Sequence, residues 1–92
     1  MQMNNYTANI TFENANKKPI YMKVLKAIAN AKVPTSRAAI VKKVWGVDLS
    51  TKSDGWNCGP FTLLRENGYV EYEAKGWRIT PKGLQFLHEN WK

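Results

Sequence analysis

The chain has 92 residues, of which 43% are hydrophobic, and a net charge of +7, which is the size of one domain. No apolar run approaches the ~20 residues of a membrane span. One Cys and one His can neither build a disulfide framework nor fill a zinc site, so no metal or cofactor is expected. A chain this small buries only ~60–65% of the surface its unfolded form exposes, and four Trp, four Tyr and three Phe supply the bulk that such a core needs.

Residues 1–18 read as an Asn-rich, polar arm. Within it Tyr6, Ala8, Ile10 and Phe12 alternate with polar residues, the pattern of a strand with one apolar face. Such a strand needs a partner, either a later hairpin of the same chain or a second subunit. The arm lacks the charged-then-apolar pattern of a secretory signal, so a cytoplasmic location is expected. Residues 19–92 read as the domain proper.

The first helix is expected from about Pro19 to Ala31, with proline in its first turn. Tyr21, Val24, Leu25 and Ile28 form one apolar stripe, which places Lys23 and Lys26 on the opposite, outward side. Val33-Pro34 ends it. A second helix runs from about Ser36 to Trp45, capped by Thr35 or Ser36, with Ile40, Val41 and Val44 inward and Lys42 and Lys43 outward. Gly46 suits the left-handed residue that closes it. The polar stretch from Val47 to Gly59 reads as a loop. A third helix starts near Asn57, with Pro60 in its first turn, and ends at Asn67; a start near Ser53 would require a kink at Pro60. Tyr69 to Glu73 and Trp77 to Thr80 alternate as two strands. The turn between them is Ala74-Lys75-Gly76, with the glycine expected to take positive φ. Thr80 caps a fourth helix whose first residue is Pro81; Leu84, Leu87 and Trp91 share one face, and Phe86 lies off it.

Charge is segregated. Residues 17–43 carry Lys17, Lys18, Lys23, Lys26, Lys32, Arg37, Lys42 and Lys43 and no acidic residue, whereas residues 44–92 hold six basic and six acidic residues. A folded segment of one sign favours a polyanionic partner. No nucleophile, base and orienting group are spaced to act together, so a binding protein is expected rather than an enzyme.

Three helices, a tight hairpin and a closing helix form an α+β, mostly helical order. Leu64-Arg65-Glu66-Asn67-Gly68-Tyr69-Val70 and Trp77-Arg78-Ile79-Thr80-Pro81-Lys82-Gly83 resemble the matching segments of winged helix-turn-helix domains, broadly the MarR-like regulators of bacteria and phages. The resemblance spans residues 19–92. It implies a DNA-binding protein, a transcriptional regulator or replication-associated factor, whose third helix enters the major groove of duplex DNA. Winged helices also serve as protein-interaction modules, and that reading stands beside the first.

Carried over by position, the outward face of the third helix holds Thr62 and Arg65, with Trp56 and Asn57 at its entrance. Arg65 can address guanine or a phosphate, and Asn57 adenine, unless it caps the helix. Cys58 reads as a small residue at the helix start. Lys42 and Lys43 are the leading phosphate contacts, joined by Lys17 and Lys18 before the first helix and by Lys52 and Ser53 in the loop. On the wing, Lys75 and Arg78 are the basic residues, while Glu71 and Glu73 would repel phosphate. Trp45, Trp77 and Trp91 are expected in the core and Trp56 half exposed. His88 is expected at the surface. The off-stripe Phe86 and the N-terminal strand leave room for a homodimer; no membrane partner is expected.

Overall fold

The helix Ile20–Ala31, α1, carries the rest of the domain. In this computed structural model, which describes residues 17–91, α1 packs against every other main element: α2 (Arg37–Trp45), α3 (Gly59–Glu66), the second strand of the hairpin β1 (Val70–Glu73) and β2 (Gly76–Ile79), and α4 (Pro81–Asn90). A short 3-10 turn, Leu49–Thr51, lies between α2 and α3. The described residues thus form a mostly helical α+β unit of four α-helices and one two-stranded antiparallel sheet. None of these helices is long and apolar enough to cross a membrane.

The expected α1 stripe is buried, but burial does not stop at the stripe. Met22, Val24, Leu25, Ala27, Ile28 and Ala29 are all in the core, and Lys26 is buried with them at 0% exposure. The expectation that Lys26 points outward is therefore wrong. Periodicity finds one apolar face, but α4 covers the side where Lys26 lies, and the amine ends 5.7 Å from the Trp91 ring centre. Lys23 is half-buried. Pro19 precedes α1 rather than opening it, and its carbonyl accepts from the Met22 and Lys23 amides.

α2 begins as the sequence suggests. Ser36 Oγ accepts from the Ala39 amide at 3.2 Å, and Gly46 closes the helix at φ +69°, its amide donating to the Lys42 carbonyl at 2.9 Å. Ile40 and Val41 are buried, and Val44 is half-buried against the core. α3 starts at Gly59, later than both expected starts. Ser53 to Asn57 form successive turns, with the Trp56 amide donating to the Ser53 carbonyl at 3.1 Å. Asn57 has φ +50°, a left-handed value that cannot belong to a helix. Phe61 and Leu64 are its buried contacts.

The hairpin pairs Val70 with Ile79, Glu71 with Arg78, Tyr72 with Trp77 and Glu73 with Gly76. Its turn has two residues, not three. Ala74 and Lys75 take the positive φ values, +51° and +61°, the signature of a type I′ turn. Gly76 is in the strand and does not supply the positive φ expected of it. It is needed for space: a Cβ there would sit 2.6 Å from the Pro34 carbonyl carbon and the Thr35 nitrogen. That approach reflects a rung the sequence did not suggest. Thr35 and Trp77 exchange backbone hydrogen bonds of 3.0 and 2.8 Å, so the α1–α2 connection is paired to the outer edge of β2.

α4 matches expectation. Thr80 Oγ1 accepts from the Gly83 amide at 3.0 Å and donates to the Gly68 carbonyl at 2.7 Å. Leu84 and Leu87 are buried, and His88 is exposed. Phe86 stacks on Tyr69, with ring centres 4.3 Å apart and planes 11° from parallel. Its off-stripe position is thus satisfied within the chain. Trp77 lies in the core against Phe61 at 5.3 Å, while Trp45 and Trp91 are half-buried against the core. The expected N-terminal strand lies outside the described residues.

Candidate nucleic-acid interface

The turn before α3 is organised around Trp56. Its ring meets Trp45 edge-on, with centres 5.6 Å apart, and the Lys52 amine lies 5.3 Å from its centre. Arg37 Nη1 donates to the Trp56 carbonyl at 2.6 Å. Arg37, the first residue of α2, thereby ties that helix to the entrance of α3. No local pattern announced this role, because the two residues are 19 positions apart. Upstream, Asp48 Oδ1 accepts from the Ser50 hydroxyl at 2.7 Å and from the Ser50 amide at 3.0 Å. Those two bonds, with Lys42 nearby, hold the Asp48 carboxyl below its ordinary pKa. Lys42 is therefore partly matched by an acidic neighbour.

On α3 itself, Gly59, Leu63, Arg65 and Glu66 are exposed and Thr62 is half-buried, with Cys58 and Asn57 exposed at its start. Cys58 is the cap residue but makes no side-chain capping bond. Leu63 is 44% exposed and borders an open groove of about 240 Å³, also lined by Tyr21, Leu64, Asn67, Tyr69 and Phe86. No family model, curated protein or solved structure matches the chain.

The basic residues divide into groups. Lys17, Lys42 and Lys43 are exposed. Lys18 donates to the Asn90 carbonyl at 2.8 Å, where a cation favours the C-terminal end of α4, and its amine lies 5.6 Å from the Trp91 ring centre. Lys26 approaches the same ring. Burial, and then the nearby Lys43 charge, pull the Lys26 amine down to a pKa of about 8. Lys18 and Lys26 thus both lie against the end of α4, and the charge of Lys43 acts on Lys26. Lys52 and Ser53 are exposed in the loop ahead of α3, and Lys75 is exposed at the hairpin tip.

Arg78 is not available in the way the sequence suggested. Its Nε lies 3.0 Å from Glu71 Oε1 and 2.7 Å from Glu73 Oε1. One guanidinium is shared by two carboxylates on the solvent face of the hairpin, and that face has no surplus positive charge. The opposite face carries Tyr72, to which the sequence alone assigned no role. It is 54% exposed and meets Trp77 at 5.1 Å and 63°.

Proposed function

We propose that this chain is a winged helix-turn-helix protein, broadly of the MarR-like kind, that binds duplex DNA in the cytoplasm as a regulator or replication-associated factor. The observation that carries the reading is the rung between Thr35 and Trp77. It makes the hairpin, the α1–α2 connection and the three-helix core one body, so that α3 and the wing present a fixed spacing to a ligand. A rigid frame of this kind is what groove recognition requires. The segregated charge adds to it: residues 17–43 hold eight basic residues and no acid.

In this reading Lys42, Lys43, Lys17 and Lys52, with the hydroxyl of Ser53, meet phosphates, and Thr62 and Arg65 face the major groove. Lys18 and Arg78, each already engaged within the chain, contribute less. Fluorescence anisotropy with a labelled duplex at 50 to 300 mM salt tests it, those bounds being about the range over which counterion release is measurable. Affinity should fall with rising salt. Reversing Lys42 and Lys43 to Glu should weaken binding to every sequence alike and lower the salt slope by about 1 for each phosphate no longer neutralised. Binding absent at the lowest salt, or indifferent to salt, overturns the reading. A protein-interaction role is favoured by one observation, the exposed Leu63 beside its apolar groove; Leu63→Glu leaving DNA affinity intact while abolishing retention of a partner would support it.

A further inference from the structure

The hairpin has two unlike faces. On one, Glu71 and Glu73 hold the Arg78 guanidinium at 3.0 and 2.7 Å, which leaves that face with two carboxylates against one cation. It cannot lie along a phosphate backbone without bringing like charges together. On the other face, Tyr72 is 54% exposed, although a tyrosine beside a core tryptophan has every opportunity to be covered. It is firmly held: Trp77 meets it at 5.1 Å and 63°, Trp77 itself rests on Phe61 at 5.3 Å, and β2 is pinned by Thr35. Because the two rings meet at an angle rather than stack, Tyr72 is not sandwiched by its neighbour. The next side chain outward, past Glu73 and Ala74, is Lys75 at the turn, exposed and without an acidic partner among the described ion pairs.

An aromatic ring on a rigid hairpin, with one cation at the tip, suits a nucleic-acid strand whose base faces are open. Stacking of a base on an aromatic side chain is sequence-tolerant, because every base has a π-face. Inside an intact duplex those faces are hidden and only base edges are offered. The ring therefore has a full partner only where pairing stops, at an unpaired end, a gap or a fork.

We propose that Tyr72 stacks on an exposed base at the junction between duplex and single-stranded DNA, with Lys75 on the adjoining phosphate, so that the ligand class of this protein is a duplex bearing an unpaired extension. The proposal rests on the DNA-binding reading above and narrows it.

The test compares two probes of equal duplex length, one blunt and one with a short single-stranded extension, by anisotropy at a fixed salt concentration. The wild-type protein should prefer the extended probe by about tenfold, the scale of one base–aromatic stack. Tyr72→Ala and Tyr72→Leu should both bring the ratio to one, while Tyr72→Phe keeps it; circular dichroism confirms that each variant is folded. The leucine variant matters because an apolar wedge would survive it and a stack would not. Equal wild-type affinity for the two probes overturns the proposal, as does a preference that Tyr72→Ala or Tyr72→Leu leaves unchanged. In those cases binding to the blunt duplex, still weakened by Lys42→Glu and Lys43→Glu, keeps the DNA reading. Absence of binding to either probe removes both.

Discussion

Replacing Lys26 by methionine is expected to stabilise the protein at neutral pH. The side chain is at 0% exposure, and its amine pKa is drawn from 10.5 to about 8 by burial first and by Lys43 second. Each pKa unit is about 1.36 kcal/mol, so the charged amine costs the folded state about 3 kcal/mol. The Trp91 ring, 5.7 Å from that amine, offsets part of that cost, about 1 kcal/mol, by cation–π attraction. Methionine is unbranched and only one heavy atom shorter than lysine, and an apolar residue of similar volume commonly matches or exceeds a buried ion.

The sign with pH follows from linkage. The unfolded chain has the higher pKa. Below pH 8 the amine is protonated in both states, and the full penalty is present. Between about pH 8 and 10.5 the unfolded state binds more proton, so the wild type gains stability as pH rises; above that the penalty is gone. Urea unfolding of both proteins from pH 7 to 10.5 isolates the effect, because every other titrating group is common to both. The variant should lead by about 2 kcal/mol at pH 7, and the lead should close at the alkaline end. A difference that does not change with pH, or a variant destabilised throughout, would refute the reasoning.

Gly83→Ala should cost about 3 kcal/mol, because its Cβ would overlap the Tyr69 carbonyl oxygen that accepts from Thr80; a chemical melt equal to wild type would contradict this. Thr80→Ala removes both the cap on Gly83 and the bond to Gly68 and should lower stability by about 1 kcal/mol, read in the same melts. Ala74→Asn places a residue tolerant of positive φ where alanine sits at +51° and should raise stability by about 1 kcal/mol; a lower melting temperature would mean that the turn is not type I′.

Features set by neighbouring residues were legible in the sequence. The start of α4 at Thr80-Pro81, the Ser36 cap and the Gly46 stop depend on a few adjacent positions, and they stand where composition puts them. Features set from a distance were not. Whether Lys26 meets water depends on α4, about sixty residues onward, and no helical period carries that information. Gly76 invited a positive φ, but the requirement it meets is the close approach of Pro34. That difference had a consequence for the candidate site. A three-residue turn would have set Arg78 opposite Tyr72 and Trp77 opposite Glu73; the two-residue turn shifts the register by one. Arg78 then faces Glu71, which removes it from the proposed phosphate contacts. Arg37 and Tyr72 were missed for the same reason, since a partner 19 residues away and a ring overhanging its hairpin are properties of the fold.

The rung between Thr35 and Trp77 also bears on how the chain is made. During synthesis α1, α2 and α3 emerge well before the second strand. Until Trp77, Leu84 and Leu87 arrive, the sides of α1 that β2 and α4 cover stay open, and the Thr35 amide has no acceptor on β2. Helical segments this short are marginal alone. The nascent chain is therefore expected to stay open and vulnerable to proteases until β2 and α4 are released, and then to close in one step. Arrested chains ending before Trp77 should be digested readily, and those extending past Leu87 should resist.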